Sequence, residues 1–241
     1  AQAAVAAAIA EQLAAFLVSG EVRNALNVPA MSREALERFG PYLGLAERLG
    51  SLVAQIAPGG VREVRVSFAG EIAEAPARPV AAAVLKGMLA HFEDANVNEV
   101  NAPAMARERG IAVGEERAAG SHDYVSLLSV AVRGEGGEAV VAGTVFGKKD
   151  ARIVRVNQFR LEAVPEGNII LCVNDDSPGV VGNIGSTLGS GGVNIARISL
   201  ARAEDRSAAV SLINVDSEPP PAVLEALRRL PHVREVRRIR L

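Results

Sequence analysis

The chain has a single cysteine, no tryptophan and few aromatics, Phe and Tyr together making up 3% of its 241 residues. Cys172 alone excludes an internal disulfide, a cysteine-held zinc site and an iron–sulfur cluster housed by this chain. It sits in the apolar run Asn168–Val173, which reads as a strand with a buried thiol. So few aromatic rings leave no stacking platform for nucleobases. Charge of one sign is missing too: 26 basic residues face 28 acidic ones, for a formal net charge of -2, and no basic stripe marks a nucleic-acid binder. The late RRIR alternates with apolar residues over Val233–Leu241 and reads as one exposed face of a strand. No apolar stretch reaches the roughly 20 residues that span a bilayer. His91, His122 and His232 are too scattered to suggest a metal set. The phosphate-cradling patterns G-x-G-x-x-G and G-x-x-x-x-G-K-[ST] do not occur, nor do the hydrolytic patterns G-x-S-x-G and H-E-x-x-H.

What remains is a well-mixed globular composition, 49% hydrophobic and 22% charged, enough for one large or two modest domains. Ala3–Val18 is an alanine-rich helix with Val5, Ile9, Leu13 and Phe16–Leu17 at helical spacing. It contains Glu11 and lacks a basic lead and a cleavage site, so it reads as an amphipathic helix and not as a signal peptide. The chain opens on Ala-Gln inside that pattern, which suggests a processed protein or a piece of a longer one. Gly20 ends the helix, and Ala25–Pro29 reads as an extended connector. Further helices are expected over Pro41–Ala57, Pro79–Phe92 and Ala104–Arg109. Strands are expected over Val61–Ala69, Ile111–Glu116, Tyr124–Val132, Ala139–Phe146 and Ile153–Phe159, with Gly134–Gly137 as a hairpin turn. That mixture is an α+β unit. From Gly167 the order is strand (Asn168–Val173), helix (Pro178–Leu188), strands (Val193–Ala201 and Ala208–Val215), helix (Pro221–Leu230) and strand (Val233–Arg240). This is βαββαβ, the ferredoxin-like order. Pro165–Gly167 is the natural boundary between the two units.

The stretch Val173–Ile195, VNDDSPGVVGNIGSTLGSGGVNI, carries the chemistry. A strand ends in an acidic corner. Ser177 suits a helix N-cap and Pro178 the first helical position, where a missing N–H costs nothing. Free amides at such a helix start can hold a carboxylate, Asp176 offers a negative charge to an ammonium group, and Asn174 and Asn194 supply donors and acceptors. Together they suit a small zwitterion. For Asp175 and Asp176, a metal pair and Asx-turn capping are both open readings. Gly191 and Gly192 close a helix before a strand, the reverse of a dinucleotide-binding turn, and read as a C-cap. Gly182 and Gly185 would let that helix sit close to a sheet or a partner. Lys148, Lys149 and Arg152 cluster at a turn and read either as an anion site or as a solvated turn.

On these residues, Gly167–Leu241 resembles an ACT domain, the small regulatory module that binds amino acids at subunit interfaces. The stretch DDSPGVVGNIGSTLGSGGVNIA is similar to the ACT domain of the D-3-phosphoglycerate dehydrogenase family, which opens serine synthesis. AEQLAAFLVSGEVRNALNVP resembles the helix and connector leaving that family's catalytic core. PYLGLAERLGSLVAQI, RPVAAAVLKGML, VNEVNAPAMARERGI and AGTVFGKKDARIVRVNQF resemble its intervening, allosteric substrate-binding domain. The resemblance implies a connector at 1–26, an intervening α+β domain at 27–165 and a ferredoxin-like βαββαβ ACT domain at 166–241. It further implies L-serine held between two ACT domains by Asn174, Asp176 and Asn194, with the helix start at Pro178 and Gly179. Asn174 departs from the His or Tyr that relatives often carry there. An anion site at Lys148, Lys149 and Arg152 corresponds to one that senses phosphorylated substrate in some members, Val164 replacing another of its basic residues. No catalytic residue, metal or cofactor is expected in this chain; NAD belongs to the parent enzyme. The expected partners are a small amino acid and further copies of the chain, with no nucleic acid and no membrane. The default compartment is the cytoplasm, or the plastid for a photosynthetic eukaryote. Two alternatives stand beside this reading: the accessory part of an iron–sulfur L-serine dehydratase, and a free-standing amino-acid-binding module.

Overall fold

The computed structural model describes residues 2–19, 31–92, 96–118 and 123–241. The expected connector Ala25–Pro29 and His122 lie outside them. Helix α1 (Gln2–Ser19) precedes α2 (Arg33–Ile56). Helix α2 starts well before the expected Pro41. Ser32 Oγ accepts the Ala35 N–H at 3.1 Å and caps a new first turn, so Pro41 lies inside the helix. The fold tolerates that proline because Phe39, Tyr42, Leu45, Ala46 and Leu49 bury one continuous apolar face around it.

Strand β1 (Val61–Gly70), a 3-10 turn (Glu71–Glu74), α3 (Ala77–Phe92) and α4 (Ala102–Glu108) follow. Then come β2 (Ala112–Ala118), β3 (Ser126–Gly134), β4 (Gly137–Phe146), β5 (Asp150–Val156) and β6 (Phe159–Ala163). They form one six-stranded sheet in the order β2-β1-β3-β4-β5-β6. Only β1 and β2 pair in parallel there, because α3 and α4 provide the crossover between them. The expected single strand Ile153–Phe159 is two strands. Asn157 adopts φ 52 and turns the chain back between β5 and β6, a conformation asparagine tolerates better than most residues. Helices α2 and α3 cover one face of this sheet and nearly touch each other. A Cβ on Gly50 would fall 2.0 Å from Val84 O, and one on Gly87 would fall 1.8 Å from Glu47 O.

The six-stranded sheet ends at Ala163 and a second sheet begins at β7 (Asn168–Asn174). Helix α5 (Val180–Ser190), β8 (Ile195–Arg202), β9 (Ala209–Val215), α6 (Pro221–Arg228) and β10 (Val233–Arg240) complete it. The strand order β10-β7-β9-β8, antiparallel throughout, is the ferredoxin-like arrangement of the βαββαβ sequence. Alternation along β7 and β9 divides the apolar side chains between two cores. Ile170, Cys172, Ile213 and Val215 meet α5 and α6, whereas Ile169, Leu171, Val210 and Leu212 join the core of the first sheet. The two units are therefore docked through the helix-free face of the second sheet. Gln55 clamps that seam, donating Nε2–H to Arg240 O at 2.9 Å and accepting the Arg240 N–H at 3.0 Å. Asn214 Nδ2 ties the linker carbonyls of Val164 and Glu166 to β9.

Candidate functional site

The corner where β7 ends gathers the end of that strand, the turn into α5, the end of β8 and the start of β10. Asn174 is the last residue of β7 and lies on the helix side, in register with Ala209 of β9. The residue is 2% exposed; Nδ2–H donates to Asp175 O at 2.6 Å and Oδ1 has no partner among the described residues. Ser211, diagonal to it on the same face and opposite Cys172, also carries a buried hydroxyl without a partner among the described residues. Buried polar groups in native proteins are nearly always satisfied, so two orphans side by side mark a place where a donor from water or a ligand is wanted.

Asp175 and Asp176 turn to different partners, as neighbouring turn residues do. Asp175 accepts from Arg234 Nε at 2.6 Å and faces His232 Nδ1 at 3.3 Å. The Arg234 guanidinium, and after it His232, hold the Asp175 carboxyl below the usual carboxylate range. Asp176 points elsewhere. Its side chain is 14% exposed and pairs with Arg202 Nε at 3.1 Å. Among the described residues, no group of three His, Cys, Asp or Glu side chains could hold a metal ion, so neither aspartate belongs to such a set.

The helix start differs from the sequence reading. Ser177 is not the N-cap and Pro178 is not the first helical residue; Pro178 and Gly179 form a turn, and α5 begins at Val180 with Gly179 as its cap. Gly179 adopts φ 86, a left-handed conformation that breaks the helical path just where Pro178 was expected to begin it. Pro178 and Gly179 are exposed, so the α5 start is open to a small ligand. A Cβ on Gly182 or Gly185 would meet nothing within 4 Å among the described residues, so of the two readings, a sheet or a partner, the sheet of this chain is not what they approach.

Asn194 lies at the other end of this sheet. Asn174 aligns with Ala209 and Arg202, whereas Ile195 aligns with Val215, six residues along β9, a separation of about 20 Å. There Asn194 Nδ2 donates to the Asp216 carboxylate. One chain thus brings together Asn174, Asp176, Pro178 and Gly179 but not Asn194. Lys148 and Lys149 sit exposed on the β4–β5 turn, and Arg152 on β5 is ion-paired with Asp150 and donates to Ala151 O at 2.9 Å. An incoming anion there competes with the Asp150 carboxylate. Sequence reasoning missed Arg202 and Arg234, because strand pairing brings both to the corner from distant positions. The only sequence signal was the placement of Arg202 on the same strand face as Ile198 and Leu200. A separate groove of about 750 Å³ runs between the outer face of the first sheet and the β8–β9 turn, where Arg160 pairs with Asp123 at 2.9 Å. No described helix is long and apolar enough to cross a membrane.

A ferredoxin-like sheet with an acidic strand-to-helix corner, docked on an α+β unit, is the architecture of an ACT-bearing chain. Comparison with known proteins agrees. Residues 38–157 match the D-3-phosphoglycerate dehydrogenase intervening domain and residues 167–232 match the ACT domain. The chain is 34% identical over its whole length to a D-3-phosphoglycerate dehydrogenase of Synechocystis sp., of which the match covers 44%. It is 32% identical to that of Bacillus subtilis, over all of this chain and 46% of the relative. For Archaeoglobus fulgidus the figures are 34% identity, 92% of this chain and 42% of the relative. The chain thus spans less than half the length of these relatives. It belongs to the D-3-phosphoglycerate dehydrogenase family and corresponds to its C-terminal regulatory part.

Proposed function

We propose that this chain is the effector-sensing and self-associating part of a D-3-phosphoglycerate dehydrogenase of serine biosynthesis, and that it binds L-serine for feedback inhibition. The observation that carries this reading is the Asn174 Oδ1 atom, buried without a partner among the described residues, beside an acidic side chain and an open helix start. An amino acid offers an ammonium donor to the unmet Asn174 Oδ1 and, in place of Arg202, to Asp176, and a carboxylate to the amides around Gly179. The site is completed by a second copy. A two-fold axis that sets α5 and β8 of two copies antiparallel carries Asn194 of one copy to the 174–179 corner of the other. The apolar side chains that such a contact would cover, Val181, Ile198 and Leu200, are each about two-fifths exposed in the single chain. The oxidation itself, with NAD, falls on this reading to the remaining part of the longer relatives. Coupling between effector and oxidation of about 1–3 kcal/mol is the ordinary range for such control. Calorimetric titration with L-serine tests the reading. Saturable binding that disappears in Asp176→Ala is expected; an absence of heat at millimolar serine rejects it.

A further inference from the structure

The Asp176–Arg202 ion pair has a position that a surface salt bridge does not need. Asp176 follows the end of β7 and Arg202 ends β8, with β9 lying between these strands. Neighbouring strands are about 4.8 Å apart, so the pair reaches across the end of β9, over the buried methyl of Ala209. Asn174, Ala209 and Arg202 form one row across the sheet on its helix side. On β8 of the single chain that side is open, Ile198 and Leu200 remaining exposed until a second copy covers them. Opening the pair would therefore uncover a small-residue floor with the orphaned Asn174 Oδ1 at one end and a guanidinium at the other. The two partners are unequally held. Asp176 is largely buried while Arg202 is 61% exposed on a long flexible stem, so the arginine is the member that can move.

Resting on the effector reading above, we infer that this pair is the recognition element for the α-amino and α-carboxylate groups of the ligand. The ammonium takes Asp176 from Arg202, and the released guanidinium takes one oxygen of the ligand's carboxylate while the amides around Gly179 take the other. A zwitterion replaces the internal ion pair charge for charge, leaving neither Asp176 nor Arg202 without a counter-charge. An amine alone leaves the guanidinium unpaired, and a carboxylic acid alone leaves Asp176 unpaired; both pay the cost of stranding a charge in a partly closed site. Arg202 thereby sets the site's selectivity for free amino acids.

The test is titration of the chain and of Arg202→Met and Arg202→Lys with L-serine and with ethanolamine, which keeps the ammonium and hydroxyl but lacks the carboxylate. The unmodified chain should favour serine over ethanolamine by about ten- to a hundredfold, the range for a charged hydrogen bond. Arg202→Met should bring serine down to the level of ethanolamine, and Arg202→Lys should restore part of the difference. Thermal melts of the variants verify that they remain folded, as expected for so exposed a side chain. If serine binds Arg202→Met as tightly as the unmodified chain, or tighter, the guanidinium is a competitor of the ammonium and the inference falls. The effector reading would survive that result provided Asp176→Ala still abolishes binding. Failure of the unmodified chain to bind serine removes both.

Discussion

Replacing Asn174 with leucine separates a side chain kept for a ligand from one kept for folding. Leucine keeps the branched outline of the asparagine side chain, so the exchange removes polarity while the neighbours accommodate two bulkier methyl groups. In the ligand-free chain Asn174 makes one hydrogen bond, to Asp175 O, and leaves Oδ1 buried and unmet. Losing the bond costs about 0.5–1.5 kcal/mol, while removing the orphaned carbonyl recovers about 1–3 kcal/mol. Before any strain from the bulkier methyls, the polar balance favours Asn174→Leu by about 1 kcal/mol, or a rise in Tm of about 2–4 °C for a chain of this size. Serine affinity should fall at least about tenfold, because the ammonium loses a charge-assisted acceptor. Thermal unfolding without ligand and calorimetry with serine read the two effects on one sample. A Tm drop of more than about 5 °C would refute the reasoning, since it would show that Oδ1 is satisfied by the fold and not reserved for an effector.

Gly185→Ala should stabilise the isolated chain by about 0.5–1 kcal/mol, as alanine does inside helices, yet weaken self-association if α5 meets a second copy. Sedimentation equilibrium beside chemical unfolding would show the opposite signs. Gly50→Ala, whose methyl would strike Val84 O, should instead destabilise by about 1–3 kcal/mol or more. Burial pushes the Cys172 thiol up to about 11, so a disulfide reagent at about pH 8 should leave the folded chain unlabelled and modify it fully in urea. Rapid labelling under native conditions would contradict that placement. Asp175 is held low by Arg234 first and His232 second, so its contribution to stability is present above the unfolded carboxyl range and is lost as pH falls through its lower folded value. Arg234→Ala should move the Asp175 midpoint upward in an NMR pH titration; an unchanged midpoint would show that the pair does not form.

The second domain was legible because its periodicities are clean. β10 is the strand the sequence implies to the residue, and Ile170 and Cys172 alternate with Ile169 and Leu171 between two different cores. Local rules failed where one residue's backbone overrides a pattern. Asn157 splits one expected strand into a hairpin, Gly179 delays a helix that Ser177 and Pro178 suggested, and Ser32 extends α2 past Pro41. Within the site, Asn174 and Asp176 could be picked out because both lie in one short segment. Arg202 could not, since only the β7–β9–β8 register brings it to Asp176. Asn194 was grouped with them by motif alone, and the fold places it at the far end of the same sheet, so any joint role requires two chains.

Mixing two defective variants tests that two-chain site most directly. Asp176→Ala and Asn194→Ala should each fail to bind L-serine when alone. In a mixed dimer, one of the two sites combines the intact Asp176 of one copy with the intact Asn194 of the other. Random exchange of subunits should therefore restore serine binding at about a quarter of the wild-type number of sites. No recovery in a mixture shown to contain the mixed dimer would contradict a site shared across the two-fold.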